Sequence, residues 1–292
     1  MKKKKISEKL TTIIYYFAIL LFLVSFNFQD SRTGGWYQQF LPNLPGSPPL
    51  LDITFTDSTT GYAVTDKTGD TSYVLKTTNG GNNWFVNLKR TDGLRSYRLQ
   101  CLSKDTVYFG AYFSIYKTTN GGINWTTINI SGGSFVYDLF VLNKDTIWYT
   151  GATLTSGGLW RTTNAGTTWD LQFGGGSLVD KIYMYNARIG FMGNNGSLFK
   201  TTNSGFNWTQ INGEGDYTDI YFVDSLIGYK ANSFFKKTTN GGINWQQQSL
   251  PSVPGGIYID YSIKKFSYIN DTVYGVWGSI TYPNFQGRAI VF

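Results

Sequence analysis

Four aspartates hold equivalent places along the chain: Asp138, Asp180, Asp219 and Asp260 each stand at the head of a run with strand character. Two carboxylates flanking a sugar ring can act as acid and as nucleophile or base, their separation setting the stereochemical course. Equivalent placement in successive repeats is also what repetition alone produces, and such residues then cap or brace the turns that lead into the strands. Composition closes off most other chemistry. The 292 residues contain no histidine, which excludes a Ser-His-Asp triad and any His-ligated metal site. Cys101 is the only cysteine, and its setting in "LQCLS" reads as a small buried hydrophobe. No GxxxxGK[ST] loop occurs, and "GGG" at 174–176 reads as a flexible connection rather than a phosphate cradle. We expect no cofactor and no metal.

The elements that must position any such group are written five times over. "KTTNGGINW" occurs at 117–125 and again at 237–245, with close copies "KTTNGGNNW" at 76–84, "RTTNAGTTW" at 161–169 and "KTTNSGFNW" at 200–208. The tryptophans that end the phrase, Trp84, Trp125, Trp169, Trp208 and Trp245, are 41, 44, 39 and 37 residues apart. That spacing suits a unit of about four short strands. Six openings of one kind, an apolar run, a turn and a second strand, extend from "ITFTDSTTGYAV" at 53–64 to "FSYINDTVYGVWG" at 266–278. Aromatic and β-branched residues suit strands, Gly and Asn suit tight turns, and charged residues are only 15%. The expected fold is all-β: a six-bladed β-propeller with four-stranded blades. The third strand of the sixth unit, "GRAIVF" at 287–292, ends the chain, while "GWYQQFLPNLP" from Gly35 resembles the outer strands of other units, such as "NWQQQSLP" at 244–251. The segment from Trp36 to about Leu41 is therefore expected to pair with the C-terminal strand and close the ring, leaving no free edge at the seam. The alternative is a chain that stops early, with Trp36 left over.

Within the phrase, Thr77-x-Asn79-x-Gly81-x-Asn83-Trp84 lies between an apolar strand and a polar one and should form the hairpin that joins them. An Asn side chain bonds backbone groups just ahead of it, Gly tolerates positive φ, and Trp offers a large apolar cover for the end of a sheet. The pattern resembles the Asp-box, or bacterial neuraminidase repeat, Ser/Thr-x-Asp-x-Gly-x-Thr-Trp. Asn79, Asn120, Asn164, Asn203 and Asn240 stand in the Asp place, and Gly81, Gly122, Gly166, Gly205 and Gly242 in the Gly place. With the "F-x-D-x-x-x-G-Y-A-V" opening at 55–64, the chain is similar over roughly residues 36–292 to the photosystem II stability/assembly factor-like propellers. That resemblance implies a fold far more than a function. It implies box turns on the periphery of the face opposite the usual ligand site, and a role assisting assembly of a membrane complex. Sialidases also use a six-bladed Asp-box propeller, with an Arg-Ile-Pro segment, three arginines and a Tyr–Glu pair. This chain has no Arg-Ile-Pro, and its only Glu beyond the leader is Glu214.

In a propeller, the loops joining one blade to the next share a face with the turns between second and third strands. Here the joining loops include "TDGLRSYR" (91–98), "SGGSFVYD" (131–138), "NGEGDYTD" (212–219) and "PSVPGGIYIDYSIKK" (251–265). They mix Tyr, Arg and Asp, types that anchor partners when partly desolvated. Arg95, Tyr97, Arg98, Tyr137, Asp180, Tyr217, Asp219 and Tyr261 are the binding candidates. Tyr is also simply abundant, with 21 in the chain, and aromatics can alternatively stack on sugars.

Lys2 to Lys5 and Lys9 precede "IIYYFAILLFLVSF" at 13–26, a basic head and an apolar segment short of the ~20 residues that span a bilayer. Residues 1–30 read as a secretory signal or, since no small-x-small cleavage site stands out, an uncleaved membrane anchor. No Cys follows the apolar run, which argues against a lipoprotein. The leader carries a net +3 of the chain's +7, leaving a mild excess that does not suggest nucleic acid. We expect an exported, monomeric, single domain over 31–292: a non-catalytic platform for a protein client or surface polymer. The alternative is a glycoside hydrolase or carbohydrate-binding protein.

Overall fold

Every regular element is a strand in the computed structural model, which describes residues 39–131, 135–152, 157–174, 178–232 and 234–249. It also describes the strand backbones within 258–291, where Phe266 alone is described to its side chain. Among the described residues no helix is long and apolar enough to cross a membrane. The first sheet is β1 (Leu50–Phe55), β2 (Gly61–Thr65), β3 (Ser72–Thr77) and β4 (Phe85–Arg90); the second is β5 (Ser96–Cys101), β6 (Val107–Ala111), β7 (Ser114–Thr118) and β8 (Thr126–Asn129). The third holds β9 (Phe135–Val141), β10 (Ile147–Ala152), β11 (Gly157–Thr162) and β12 (Asp170–Gly174). The fourth holds β13 (Val179–Met184), β14 (Gly190–Asn194), β15 (Ser197–Thr201) and β16 (Thr209–Gln210). The fifth holds β17 (Asp219–Phe222), β18 (Gly228–Ala231), β19 (Phe235–Thr238) and β20 (Gln246–Gln247). The sixth has three strands, β21 (Tyr258–Ile269), β22 (Thr272–Thr281) and β23 (Gln286–Val291). Each is an antiparallel meander in chain order, the architecture expected of propeller blades.

The core lies between sheets. Tyr108 and Ile115 of the second sheet pack with Leu139, Val141, Tyr149 and Trp160 of the third. Phe191 and Leu198 of the fourth pack with Ile220, Phe222 and Trp245 of the fifth. Ile53, Leu99, Leu139, Ile182, Ile220 and Phe266 occupy one register position of the six innermost strands. The last five are 3%, 2%, 3%, 2% and 6% exposed. Ile53 is 37% exposed, beside Phe55 and Leu51. The expected closing strand from Trp36 begins outside the described residues; its described part, Gln39 to Leu41, lies in no strand.

The box is a hairpin lock, as its residues require. Thr118 Oγ1 accepts the Gly122 N–H (2.9 Å) and donates to Asn120 Oδ1 (2.9 Å), which in turn accepts the Asn124 N–H (2.9 Å). The same three bonds recur in the other four copies, centred on Asn79, Asn164, Asn203 and Asn240. Its glycine is needed twice over. Gly122 has φ 86°, and a Cβ there would collide with Asn87 of the preceding sheet. The tryptophan does more than cover its own sheet. Trp125 Nε1 donates to Asn87 Oδ1 (3.1 Å), and Trp169 Nε1 to the Asn129 carbonyl (2.9 Å), each in the sheet before. The lysine that opens the phrase reaches the other way: Lys76 Nζ donates to the Gly121 carbonyl (2.8 Å) and Lys200 Nζ to that of Gly241 (2.5 Å).

Because Asn120 Oδ1 acts as an acceptor, Asn120→Asp should leave urea stability within about 0.5 kcal/mol, whereas Asn120→Ala should lower it by about 1 kcal/mol. Gly122→Ala should lower it further, since it adds a collision to the strained φ.

Candidate functional site

The innermost strands share one register position whose occupants alternate in charge: Asp52, Arg98, Asp138, Lys181, Asp219 and Lys265, the last five each one residue before a buried apolar side chain. Three of them tie sheet to sheet. Asp52 Oδ2 accepts the Leu99 N–H (2.9 Å), Asp138 Oδ2 that of Ile182 (3.0 Å), and Asp219 Oδ2 that of Phe266 (2.6 Å). From the second and fourth sheets the tie comes from two residues further on. Gln100 makes a two-pronged bond to Val141 (2.7 and 3.0 Å), and Tyr183 Oη accepts the Phe222 N–H (3.1 Å). Asp138 and Asp219, two of the four aspartates expected to brace their own entry turns, thus reach further and brace the next innermost strand, as Asp52 does.

Arg98 lies where these strands converge. Its guanidinium is 3.2 Å from Asp138, 3.8 Å from Asp219 and 3.9 Å from Asp52, so the first, third and fifth sheets meet on one cation. The Arg98 side chain is half-buried, with 31% of it reached by solvent. Burial works against its charge, but Asp138, Asp52 and Asp219 outweigh that and raise its pKa above the ordinary arginine value. Tyr217, buried beside this cluster, donates its hydroxyl to the Phe191 carbonyl (3.0 Å). Burial, then Asp138 and Asp219, hold that hydroxyl well above the ordinary tyrosine pKa.

Arg95, Tyr97 and Tyr137 gather elsewhere on the same face, with three residues that sequence reasoning passed over. The Tyr97 ring is 5.9 Å from Tyr112 and 6.1 Å from Tyr137; Phe135 is 4.4 Å from Tyr112 and 6.1 Å from Tyr137. Phe113 adjoins Tyr112 at 6.1 Å, is 58% exposed, and has φ 63°. A bulky residue held left-handed at an exposed tip is strain that marks function more often than stability. Burial, then a hydrogen bond with Tyr112, raises the Tyr97 hydroxyl pKa. Arg95 Nε donates to Asp66 Oδ1 (2.7 Å) at the rim, and that bond holds the Asp66 carboxyl below its usual range. The missed signal is "AYFS" at 111–114, two adjacent aromatics at a turn whose counterpart in the first sheet, "TDKTGDTS" at 65–72, has none.

Asp180 lies near enough to Asp138 and Tyr217 to feel their charges but makes no bond to Arg98. Its Oδ1 is buried without a hydrogen-bond partner. A Cβ placed on Gly193 would meet Asp180 Oδ1 at 3.1 Å and Asp216 Cβ at 3.3 Å, so two carboxylate residues flank that glycine. Burial, then the Asp216 charge, raises the Asp180 pKa. The side chains of Tyr261 and Asp260 lie outside the described residues, and no group of three His, Cys, Asp or Glu side chains disposed to hold a metal occurs among those described.

Repeated four-stranded meanders, box hairpins between third and fourth strands, and a face of joining loops define a β-propeller of the neuraminidase-repeat class. Residues 31–181 match the family described as "Photosynthesis system II assembly factor YCF48", just over half of the chain, and the chain belongs to that family. No curated protein sequence matches the chain significantly. Among solved structures, YCF48 from Cyanidioschyzon merolae is similar at 16% identity over 82% of this chain and 94% of that one, with a TM-score of 0.56. A YCF48 bound to D1 peptide matches at 16% identity over 84% and 94%, with a TM-score of 0.43, too loose to transfer a site. A GH74 xyloglucanase from Xanthomonas campestris matches at 11% identity and TM-score 0.56 over 82% of this chain, which spans only 46% of that enzyme. At these identities the likenesses establish the fold alone.

Removing the shared cation should leave three crowded carboxylates facing one another, so Arg98→Met should lose about 3–5 kcal/mol of unfolding free energy in denaturant titrations. Asp180 has a raised folded pKa, so its contribution is complete below the unfolded carboxyl value and lost as pH rises through the folded one. Asp180→Asn should therefore gain stability relative to wild type between pH 4 and pH 7, measured by urea unfolding at both.

Proposed function

We propose that the chain is an exported, non-catalytic six-bladed propeller that holds a protein client against the face carrying Tyr97, Tyr112, Phe113, Phe135 and Tyr137. The observation that carries this reading is the five-ring patch with a strained, exposed Phe113 at its tip. Aromatic anchors of this kind concentrate binding energy in protein interfaces. Membership of a family described as an assembly factor supports the same reading. Export rests on the basic and apolar leader of residues 1–30. Ring closure rests on Ile53, whose five register equivalents are buried by a preceding sheet: the sixth sheet, completed by the segment from Trp36, would bury it likewise.

A second reading, a glycan-active enzyme, is favoured by one observation, the Asp180 and Asp216 side chains about Gly193. The two readings separate in hydrolysis assays on polysaccharides, where turnover abolished by Asp180→Asn would support the enzyme.

Peptides selected from a random display library on the purified chain should lose at least tenfold in affinity, about 1.4 kcal/mol, when tested on Phe113→Ala. The same substitution should leave the melting temperature unchanged. Peptides that bind the variant equally well would contradict the proposed face. For closure, Ile53→Ala should cost about 2–4 kcal/mol, as expected for a core isoleucine, and match Ile220→Ala in urea titrations. A loss near zero at Ile53 would mean an open ring.

A further inference from the structure

One pair of core positions breaks the pattern of the repeat. Facing residues of the second and third strands are Ala63 and Leu75, Phe109 and Tyr116, Tyr149 and Trp160, and Met192 and Phe199 in the first four sheets. In two of them the pair is a stacked aromatic sandwich, with ring centroids 4.7 and 5.1 Å apart. In the fifth sheet the pair is Lys230 and Lys236. Like charges directly opposite on a sheet are destabilising, and Lys230 is only 4% exposed. Glu214, the one glutamate beyond the leader, bonds both ammonium groups, at 3.0 Å to Lys230 and 2.9 Å to Lys236. Burial works to raise the Glu214 carboxyl, but the Lys236 and Lys230 bonds outweigh it and leave it below the usual range. Lys230 also donates to the Gly215 carbonyl (2.6 Å).

The two lysines line a cavity of about 260 Å³ together with Gly215, Asp216, Asn232 and Phe234. Asn232 Nδ2 donates to Asp216 Oδ1 at 2.6 Å, and Phe234 is exposed. The cavity lies on the face of joining loops and second-to-third-strand turns, since residues 214–216 join the fourth and fifth sheets and residues 232–234 join β18 to β19. Its walls offer ammonium donors, a carboxylate acceptor, an amide that is both, and one phenyl ring. The two ammonium charges are met by the two carboxylates, so the cavity presents many hydrogen-bonding groups with little net charge.

We propose that this cavity is a binding site for one pyranose ring of a neutral glycan, whose hydroxyls bond Lys236, Asp216 and Asn232 while an apolar sugar face lies on Phe234. The requirement for both donors and acceptors around a flat apolar surface is what a polyol meets and a simple anion does not. The site goes beyond the client-binding platform and does not depend on it: the aromatic patch and this cavity share no residue.

The test uses the full chain titrated calorimetrically with cellohexaose, xylohexaose, mannohexaose and chitohexaose, and with sodium acetate and sodium phosphate. At least one hexasaccharide should bind, without release of new reducing ends. The triple variant Lys230→Met, Lys236→Phe, Glu214→Gln restores the fourth sheet's apolar pair without stranding a buried carboxylate. It should melt no lower than wild type, because replacing a buried ion pair by packed apolar groups is often neutral or stabilising, yet bind the sugar more than tenfold more weakly. The turn variant Phe234→Ala, which leaves the lysines in place, should also weaken binding at least tenfold. The proposal is overturned if no hexasaccharide binds, if acetate or phosphate binds instead, or if both variants bind sugar as wild type does.

Discussion

A four-stranded sheet of this size cannot bury both of its faces, so each must be held against a neighbour, and the hold is a side chain on one innermost strand bonded to the backbone of the next. Asp52, Gln100, Asp138, Tyr183 and Asp219 make that bond in succession, from the first sheet to the sixth. The bonds alternate between two heights along the strand because the register position they start from alternates in charge. An aspartate there can reach an N–H directly, whereas Arg98 and Lys181 cannot accept a hydrogen bond, so the residue two further along, on the same face of the strand, takes over. Arg98 is then free to turn inward and offset part of the charge of the three aspartates around it.

At the opposite ends of the strands the boxes repeat this logic. Lys76 and Lys200 bond the glycine carbonyl of the next phrase, and Trp125 and Trp169 bond the outer strand before them. The repeated words therefore act across interfaces as much as within their own hairpins. Their repetition leaves the other face, with its joining loops, open to variation, and there the rings about Tyr112 and the lysine pair of the fifth sheet depart from the repeat. Stability is supplied where the sheets agree; the two binding sites we propose lie where one sheet differs.

The strands and box turns were legible because they obey local rules that a single sequence carries: alternating apolar residues, Gly at positive φ beside an Asn that accepts backbone N–H bonds, and Trp recurring every 37 to 44 residues. The box hairpins fall between third and fourth strands where the phrase predicts them. The site was less legible. Tyr217 and Asp219 have the residue types of binding anchors, yet burial commits them to the neighbouring sheets, a fact that depends on contacts 26 and 47 residues away in the chain. Phe113 and the pair Lys230 and Lys236 were visible only by comparing one repeat with another, as adjacent aromatics at a turn and a charge in an apolar column. The expectation that the inward aspartates serve their own turns missed the next strand, since sequence spacing alone does not show which neighbour a carboxylate will reach.

The most direct test of this account is native-state hydrogen exchange at the backbone amides of Leu99, Val141, Ile182, Phe222 and Phe266, the five groups that receive the ties between sheets. If those ties couple the sheets into one rigid platform, all five amides should exchange only through global unfolding, with the same free energy and the same response to denaturant. Exchange of any one of them at a lower free energy, insensitive to denaturant, would show that its sheet opens alone and would contradict the account.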